Sequence, residues 1–211
     1  MCTVLVKDYF EAKMKSDLRQ DREDRIEAAT YELLAEKGYA SASMLSIAKR
    51  AKCSNETMYN WYGDKVGLIR ALVTRNAADA RAVLEQALEG GGSALEPLER
   101  FGPVLLGVLL GDKAIALNRA AAADVSGELG RELSASGRGV IAPMLGDLLS
   151  RAAQEGEIPA TDIPAAVDLY LGVLIGDLQI RRVIGALPPP DTSEVQRRNT
   201  MAIRALITLT A

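Results

Sequence analysis

The stretch SMLSIAKRAKCSNETMYNWYGDK, residues 43–65, decides the fold because it holds two short helices and a tight turn. Over residues 44–51 the apolar side chains follow the i, i+3, i+4, i+7 spacing of one helical face, and Ser43 precedes them as an N-cap. After the turn, Ser54 caps a second helix that ends before Gly63. Two short helices joined in this way are typical of a helix-turn-helix.

The second of these helices contains three aromatic residues, Tyr59, Trp61 and Tyr62, although only 4% of the chain is aromatic. At about 100° per residue, Met58 and Tyr62 point the same way and are expected in the core, with Tyr59 and Trp61 on the two flanks. The opposite face carries Glu56, Thr57 and Asn60. A plain solvated face is the alternative, but it gains nothing from exposing two large rings. Such a face is suited to a DNA major groove, where short polar side chains read base edges and flanking donors reach phosphates.

The remaining sequence keeps helical periodicity and shows no strand alternation, so the chain is predicted to be all-α. Gly38 is expected to end the first helix, GGGS at 90–93 is interpreted as a linker, and Asp191 with Glu194 forms a capping signature. Residues 1–20 are consistent with an extended first helix, a loose arm, or a translation start placed upstream of Met14. The predicted helices cover 22–37, 44–51, 54–62, 65–88, 94–110, 113–124, 128–155, 163–186 and 192–209.

The composition removes several function classes. Among 211 residues there is no histidine and there are two cysteines, so histidine-based triads, the usual zinc sites and a disulfide framework are not expected. No carboxylate, lysine or tyrosine spacing indicates a catalytic pair. We therefore expect no catalytic residues, no metal site and no cofactor, and the enzyme hypothesis is weak.

The apolar and charged residues predict where the protein works. The longest apolar run, residues 101–111, is about half the length of a bilayer span, and the N-terminal apolar stretch is too short for a signal peptide, so we expect no membrane association and a cytoplasmic location. Between Lys37 and Lys65 five basic residues face two acidic ones, while the whole chain has a net charge of −3. A small positive segment on an acidic body is expected when one segment meets phosphate.

Residues 22–72 resemble the tetracycline-repressor (TetR) family of bacterial transcription regulators. The resemblance rests on an ordered set of positions: Ile26, Ala29, Leu33, Gly38-Tyr39, Ser43-Met44, Ile47-Ala48, Ser54, Thr57-Met58-Tyr59, Tyr62, Lys65 and Leu68. It implies an N-terminal three-helix helix-turn-helix domain over 21–65, with the motif at about 44–63. A larger helical ligand-binding and dimerisation domain follows over 66–211, and 1–20 is an N-terminal extension.

The resemblance also implies roles for individual residues on double-stranded DNA with a palindromic operator. The glycine usual in the turn is Lys52 here, and a left-handed backbone at this position would cost about 1 kcal/mol. Cys53, in the same turn, is expected to be a small buried apolar residue, with a redox sensor as the alternative. The implied base contacts are Asn55, Glu56, Thr57 and Asn60. The implied phosphate contacts are Ser43, Lys52, Tyr59, Trp61 and Lys65.

The C-terminal domain is expected to form a homodimer, because one helix-turn-helix covers few base pairs. Residues 169–176 are apolar or glycine all round, which indicates burial on several sides, and a central core helix of a monomer is the alternative. With the amphipathic last helix, which also carries Met201 and Ile207, this helix would form a four-helix interface. The predicted interface residues are Gly172, Gly176, Ile203 and Leu206.

By the resemblance, a pocket between 94 and 186 would bind an apolar or amphipathic effector. The predicted lining is Phe101, Leu105, Leu109, Leu117, Arg119, Met144 and Tyr170, with a plain core as the alternative for the apolar members. Arg119 and Asp124 are candidate polar ligand contacts or an ordinary surface pair. The leading hypothesis is a homodimeric repressor released by a ligand. The alternatives are a ligand-independent regulator or activator of the same fold, and an all-α enzyme or interaction module.

Overall fold

The computed structural model describes residues 2–159 and 162–209, so the parts of the predicted domains at 1, 160–161 and 210–211 lie outside it. Within these ranges no strand occurs, which confirms the all-α prediction. The helices are α1 Cys2–Ser41, α2 Met44–Arg50, α3 Asn55–Tyr62, α4 Lys65–Asn76, α5 Ala78–Glu89, α6 Glu96–Leu110, α7 Asp112–Ala122, α8 Glu128–Leu133, a π-helical segment Ser134–Arg138, α9 Gly139–Gln154, α10 Ile163–Ile175, α11 Leu178–Val183 and α12 Thr192–Leu209.

The first helix reaches back to Cys2, so the N-terminal extension is part of α1. Its predicted apolar face is buried, with Ile26, Ala29 and Leu33 all nearly inaccessible to solvent. At Gly38 the backbone leaves the helical region with φ 71°, where the sequence predicted the helix to stop. The following segment leads directly into the cap of α2.

The chain forms two compact units, residues 1–68 and 69–211, and the boundary falls within α4. In the first unit α2 packs against α1 and α3. In the second, α10 packs against α12 and α9, and α6 packs against α5 and α12. Each unit therefore has its own buried apolar cluster, and the larger one surrounds α6, α9 and α10.

A polar network organises the core of the second unit around Asn199, which is 1% exposed. The Asn199 amide donates to the carbonyls of Leu98 (3.0 Å) and Glu99 (3.2 Å), and its oxygen accepts a bond from the Tyr170 hydroxyl at 3.1 Å. Pro103, inside α6, has no N–H with which to bond the Glu99 carbonyl one turn earlier. Asn199 therefore supplies the donor that the proline lacks, and joins α12 to α6 and α10.

Three of the predicted helices are interrupted. The predicted helix over 65–88 breaks at Ala77, and nothing in the local sequence explains this break. The predicted helix over 128–155 contains the π-helical turn Ser134–Arg138, where the small residues of SASGRG are weak helix formers. The predicted helix over 163–186 ends at Ile175, because Gly176 adopts φ 50°.

The GGGS stretch does not separate the two units. It joins α5 and α6, which pack against each other in the second unit. Glu157 fixes its end: the carboxylate accepts bonds from the Ser93 hydroxyl and from the backbone N–H groups of Ala94 and Leu95, at 2.9 to 3.1 Å. This carboxylate binds the start of α6 and satisfies N–H groups that lack helical partners.

The described helices differ in length and polarity from a bilayer span. None of them is both long and apolar enough to cross a membrane alone. Glu96–Leu110 and Asp112–Ala122 reach the required length and composition only together, and they are bent by 54° at their junction.

Candidate nucleic-acid interface and ligand cavity

Serine caps fix the starts of both helices of the predicted motif. The Ser43 hydroxyl accepts a bond from the Ser46 N–H at 3.2 Å, and the Ser46 hydroxyl oxygen accepts from the Ser43 N–H at 3.0 Å, which closes a capping box. The Ser54 hydroxyl accepts from the Thr57 N–H at 3.0 Å. Both predicted N-caps are therefore confirmed.

The turn between the two helices has the left-handed residue that was predicted. Lys52 has φ 53°, and it is the one non-glycine residue with positive φ in the described part of the chain. The Cys53 N–H then donates to the Ala48 carbonyl at 3.0 Å, which closes the turn. Cys53 is half-buried, and burial raises the pKa of its thiol, so the reactive thiolate form is disfavoured.

Helix α3 is anchored on one side by Met58, which is 0% exposed. Its other side presents Asn55, Glu56 and Asn60 to solvent. Thr57 is half-buried, and its hydroxyl is hydrogen-bonded to Ser54 at 2.8 Å. The inward position of Met58 and the outward position of the polar face are as predicted, whereas the supposed core residue on the same side, Tyr62, is only half-buried.

The aromatic flanks of α3 differ from each other. Tyr59 is 51% exposed. Trp61 is half-buried, meets the Tyr62 ring edge-on, and lies beneath two arginines of α1: the guanidinium carbons of Arg19 and Arg22 are 5.2 and 5.6 Å from its ring centroid. The sequence predicted neither contact, because the structure of residues 1–20 was left open and the helix predicted over 22–37 gave no sign that Arg22 meets α3.

Lys65 has partners within the protein. Its ammonium donates to the Tyr39 carbonyl at 2.9 Å and lies 3.9 Å from the centre of the Tyr39 ring. The predicted phosphate contact therefore uses an ammonium group that already joins α4 to the end of α1. Asp64 caps α4, accepting from the Gly67 N–H at 2.7 Å.

One of the five basic residues counted between Lys37 and Lys65 is neutralised locally. The Arg50 guanidinium donates to both carboxylate oxygens of Glu36, at 2.6 and 2.8 Å, and to Glu32 at 3.4 Å. This pairing lowers the pKa of Glu36 and raises that of Arg50. Lys49 and Lys52 remain exposed within the motif.

The second unit contains a cavity of about 370 Å³. This volume is at the lower end of the range of small-molecule pockets. Aliphatic side chains from α4, α6, α7, α9 and α10 form most of its wall. The polar residues in the wall are Asn76, Asn118, Ser134, Arg138 and Gln179.

Three of the predicted pocket residues, Leu105, Leu109 and Leu117, line this cavity, and the other four do not. Phe101 and Tyr170 are fully buried and stack on each other with centroids 6.2 Å apart, so they belong to the core. Met144 packs against the same core from its edge. Arg119 donates to the carbonyls of Val183 and Arg182, at 2.7 and 3.0 Å.

The predicted partner of Arg119 is also structural. Asp124 accepts bonds from the Ser126 hydroxyl at 2.7 Å and from the Leu129 N–H at 3.0 Å, so it holds the turn before α8. Neither residue lines the cavity. Arg119 has a structural role as well: it holds the C-terminal end of α11, where backbone carbonyls attract a cation.

The cavity wall joins α4 to the π-helical segment. Val73 and Asn76 contribute from α4, and Ser134 and Arg138 contribute from the π-helical turn. One turn earlier on α4, Arg70 donates to both oxygens of Glu132, at 2.9 and 3.1 Å, and the Ser136 hydroxyl donates to the same carboxylate. These bonds lower the pKa of Glu132. A π-helical turn beside a pocket is common at functional sites.

The structure corrects two of the predicted interface residues. Leu206 is 0% exposed in the core of its own chain. Gly176 does not lie on a helical face: it ends α10, and a Cβ there would approach the Arg198 guanidinium to 2.4 Å. Gly172 is exposed with open space around it, and Ile203 is half-buried.

Comparison with known proteins gives two family matches. A family described as "AefR-like transcriptional repressor, C-terminal domain" matches residues 96–209, and "Bacterial regulatory proteins, tetR family" matches residues 26–72. The HTH-type transcriptional repressor KstR of Mycolicibacterium smegmatis is 23% identical over 203 residues, covering 93% of this chain and 92% of KstR.

Solved structures share the fold. A TetR transcriptional regulator from Agrobacterium tumefaciens has a TM-score of 0.67 and 28% identity, covering 89% of this chain and 93% of its own. The regulator FadR from Bacillus subtilis, in complex with stearoyl-CoA, has a TM-score of 0.66 and 18% identity, covering 87% and 97% respectively. The helical fold of this chain is therefore found in solved protein structures.

The left-handed turn gives a stability prediction. Lys52→Gly relieves the backbone strain and is expected to raise the free energy of unfolding of the first unit by about 1 kcal/mol. Lys52→Ala removes the same charge but keeps the strain, and serves as the matched control. Urea unfolding followed by the fluorescence of Trp61, the single tryptophan, measures both. Equal stability of the two variants would show that the turn is not strained.

Proposed function

Since the chain belongs to the TetR family of bacterial transcription regulators, we propose that it is a homodimeric repressor that a small molecule releases from a palindromic operator. As a family member it is a DNA-binding transcription regulator. The observation that carries the proposal is the outward polar face of α3, held in place by the buried Met58. A DNA-binding regulator of bacterial genes works beside the chromosome, so we propose a cytoplasmic location and no catalytic role.

On DNA, α3 lies in the major groove with Asn55, Glu56 and Asn60 nearest the base edges. The asparagine amide forms two hydrogen bonds with the edge of adenine, and the glutamate carboxylate accepts one from the cytosine amino group. Thr57 offers a methyl group, because its hydroxyl is occupied by Ser54. Ser43, Lys52, Tyr59, Trp61 and Lys65 are the proposed phosphate contacts, which set register and affinity rather than sequence.

Asn60→Ala is expected to change the preferred base at one operator position, because it removes a bidentate reader and leaves the phosphate contacts intact. The loss of discrimination should be about 1 to 3 kcal/mol, with random DNA bound as before. Lys52→Ala is the control, expected to weaken operator and random DNA by the same factor. Binding of a randomised duplex library followed by sequencing measures both effects. A uniform loss on all sequences from Asn60→Ala would remove it from the base-reading face.

The effector is proposed to place an apolar group in the 370 Å³ cavity and a polar or anionic group beside Arg138. The cavity wall is largely aliphatic, which suits an acyl or ring system. Arg138 donates to Asp168 at 2.6 Å with both side chains exposed, so an anionic head group could replace this carboxylate. The likeness to FadR, whose structure contains stearoyl-CoA, supports an amphipathic ligand of this kind.

Filling the cavity is expected to abolish the ligand response and preserve DNA binding. Ala121→Phe inserts a ring into the cavity wall, and Ala122→Phe, the exposed neighbour that does not line the cavity, is the matched control. Calorimetric titration with saturated acyl-CoAs of graded chain length tests binding, and release from operator DNA tests the response. Absence of binding at every chain length would contradict the amphipathic effector and favour the ligand-independent alternative.

The dimer is proposed to form across the surface made by α10, α11 and α12. This surface carries the exposed Gly172 of α10 and half-buried Ile203 of α12. It also exposes several large aliphatic side chains, which monomers usually cover. These are Ile180, Ile184, Met201 and Ile207.

Ile207→Glu is expected to produce a monomer, because a charge buried at an apolar interface has no partner. The DNA affinity of this monomer should also be lower, because two helix-turn-helix domains are then no longer held together. Val125→Glu, a fully exposed aliphatic residue between α7 and α8, is the control. Sedimentation equilibrium gives the molecular mass of each. A dimeric Ile207→Glu protein would place the interface elsewhere.

A further inference from the structure

The arginines above Trp61 are placed by α1, N-terminal to the helix-turn-helix motif at about 44–63. Arg19 and Arg22 are both exposed, and both guanidinium groups lie over the same indole ring. Arg19 Nε also donates to Glu23 at 2.9 Å. A guanidinium that stacks on a ring keeps its in-plane N–H groups directed outward, where they can bind an anion in two places.

Three arginines share one side of this part of α1. At about 100° per residue, Arg19, Arg22 and Arg25 lie within about 120° of one another, while Asp17, Asp21 and Asp24 share a different face and Glu23 lies beside Arg19. The arginines are directed toward the helix-turn-helix. Arg19 and Arg22 contact Trp61, and Arg22 and Arg25 both lower the pKa of the Cys53 thiol in the turn, against the larger effect of burial.

Trp61 lies on one flank of α3 and Tyr59 on the other, about 160° apart around the helix. With Asn60 in the major groove, the two flanks face the two phosphate backbones that border the groove. The Trp61 flank therefore meets a backbone with an indole N–H and two guanidinium groups. Charge-assisted bidentate bonds from arginine to phosphate are stronger than a neutral indole contact.

We propose that Arg19 and Arg22 contact the DNA backbone on this side, and that Trp61 acts by positioning them. This inference rests on the proposed function, because it requires α3 in the groove. It assigns a part of the interface to α1, with Arg19 in the N-terminal extension and Arg22 just after it. It also makes these two arginines necessary for full affinity without giving them any role in choosing the sequence.

The test uses the full-length protein, with duplex from its own upstream region and a random duplex, across a range of salt concentrations. Arg19→Gln/Arg22→Gln is expected to weaken binding to both duplexes alike. The slope of log affinity against log salt should fall by about 1.8, since each phosphate contact contributes about 0.9. When salt rises from about 50 to 200 mM, the fold-loss in affinity of the variant should then be about ten times smaller than that of the wild type.

Variants of Trp61 separate positioning from direct contact. Trp61→Phe keeps a ring beneath the arginines and should retain the slope, whereas Trp61→Ala should lower it as the arginine variant does. Arg81→Gln/Arg100→Gln, at two exposed arginines of α5 and α6, is the charge-matched control and should leave the slope unchanged. Circular dichroism melting checks that each variant is folded.

An unchanged slope in Arg19→Gln/Arg22→Gln, with Asn60→Ala still altering sequence preference, overturns this inference and leaves the proposed function standing. A loss of affinity in Trp61→Phe with wild-type behaviour of the arginine variant also overturns it, because the neutral indole itself would then be the contact. Equal binding of the wild type to both duplexes removes the proposed function, and this inference with it.

Discussion

The position of helix α3 depends on the left-handed turn at Lys52. The turn allows the Cys53 N–H to return to the Ala48 carbonyl, and it places Ser54 where its hydroxyl caps α3. The position of Met58 in the core then fixes which side of α3 faces outward. Glycine adopts this left-handed backbone without strain, whereas a lysine here destabilises the turn by about 1 kcal/mol. The phosphate contact proposed for this side chain would offset that cost.

The response to a ligand requires that the cavity favour one arrangement of the protein over another. Helix α4 begins at Lys65, beside the motif, and its last residues form part of the cavity wall. Arg70 binds α4 to the start of the π-helical segment through Glu132. We propose that a ligand that changes this wall acts on α4, whose first residues belong to the first unit. A coupling free energy of about 1 to 3 kcal/mol between the two sites is enough for a switch. Bound DNA must then weaken ligand binding by the same factor by which the ligand weakens DNA binding.

The sequence predicted the first unit well, because local signals determine it. Serine caps, an apolar face and a helix stop lie within residues 43–63, so each helix is specified by its own residues. The second unit was predicted only as a set of helices. The breaks at Ala77 and in SASGRG lack a proline, and the end of α10 depends on a single glycine.

Side-chain positions were harder to predict than helices. Leu206 and Ile207 are neighbours on one amphipathic helix, yet one is buried and the other exposed, and only tertiary packing decides between them. The sequence predicted Tyr170 in the lining of the pocket, but its hydroxyl donates to Asn199 in the core. Arg19 and Arg22 become visible as a pair only when α1 is known to run unbroken past Trp61. Contacts between distant parts of the chain leave little trace in local periodicity.

The most direct measurement is a titration of the purified protein with DNA flanking its own gene, beside a scrambled duplex, at two salt concentrations. The account predicts tighter binding to the flanking DNA at both concentrations, with both affinities falling as salt rises, because shared phosphate contacts supply the salt dependence. Equal affinity for the two duplexes at both concentrations would contradict it, since the outward face of α3 would then read no sequence.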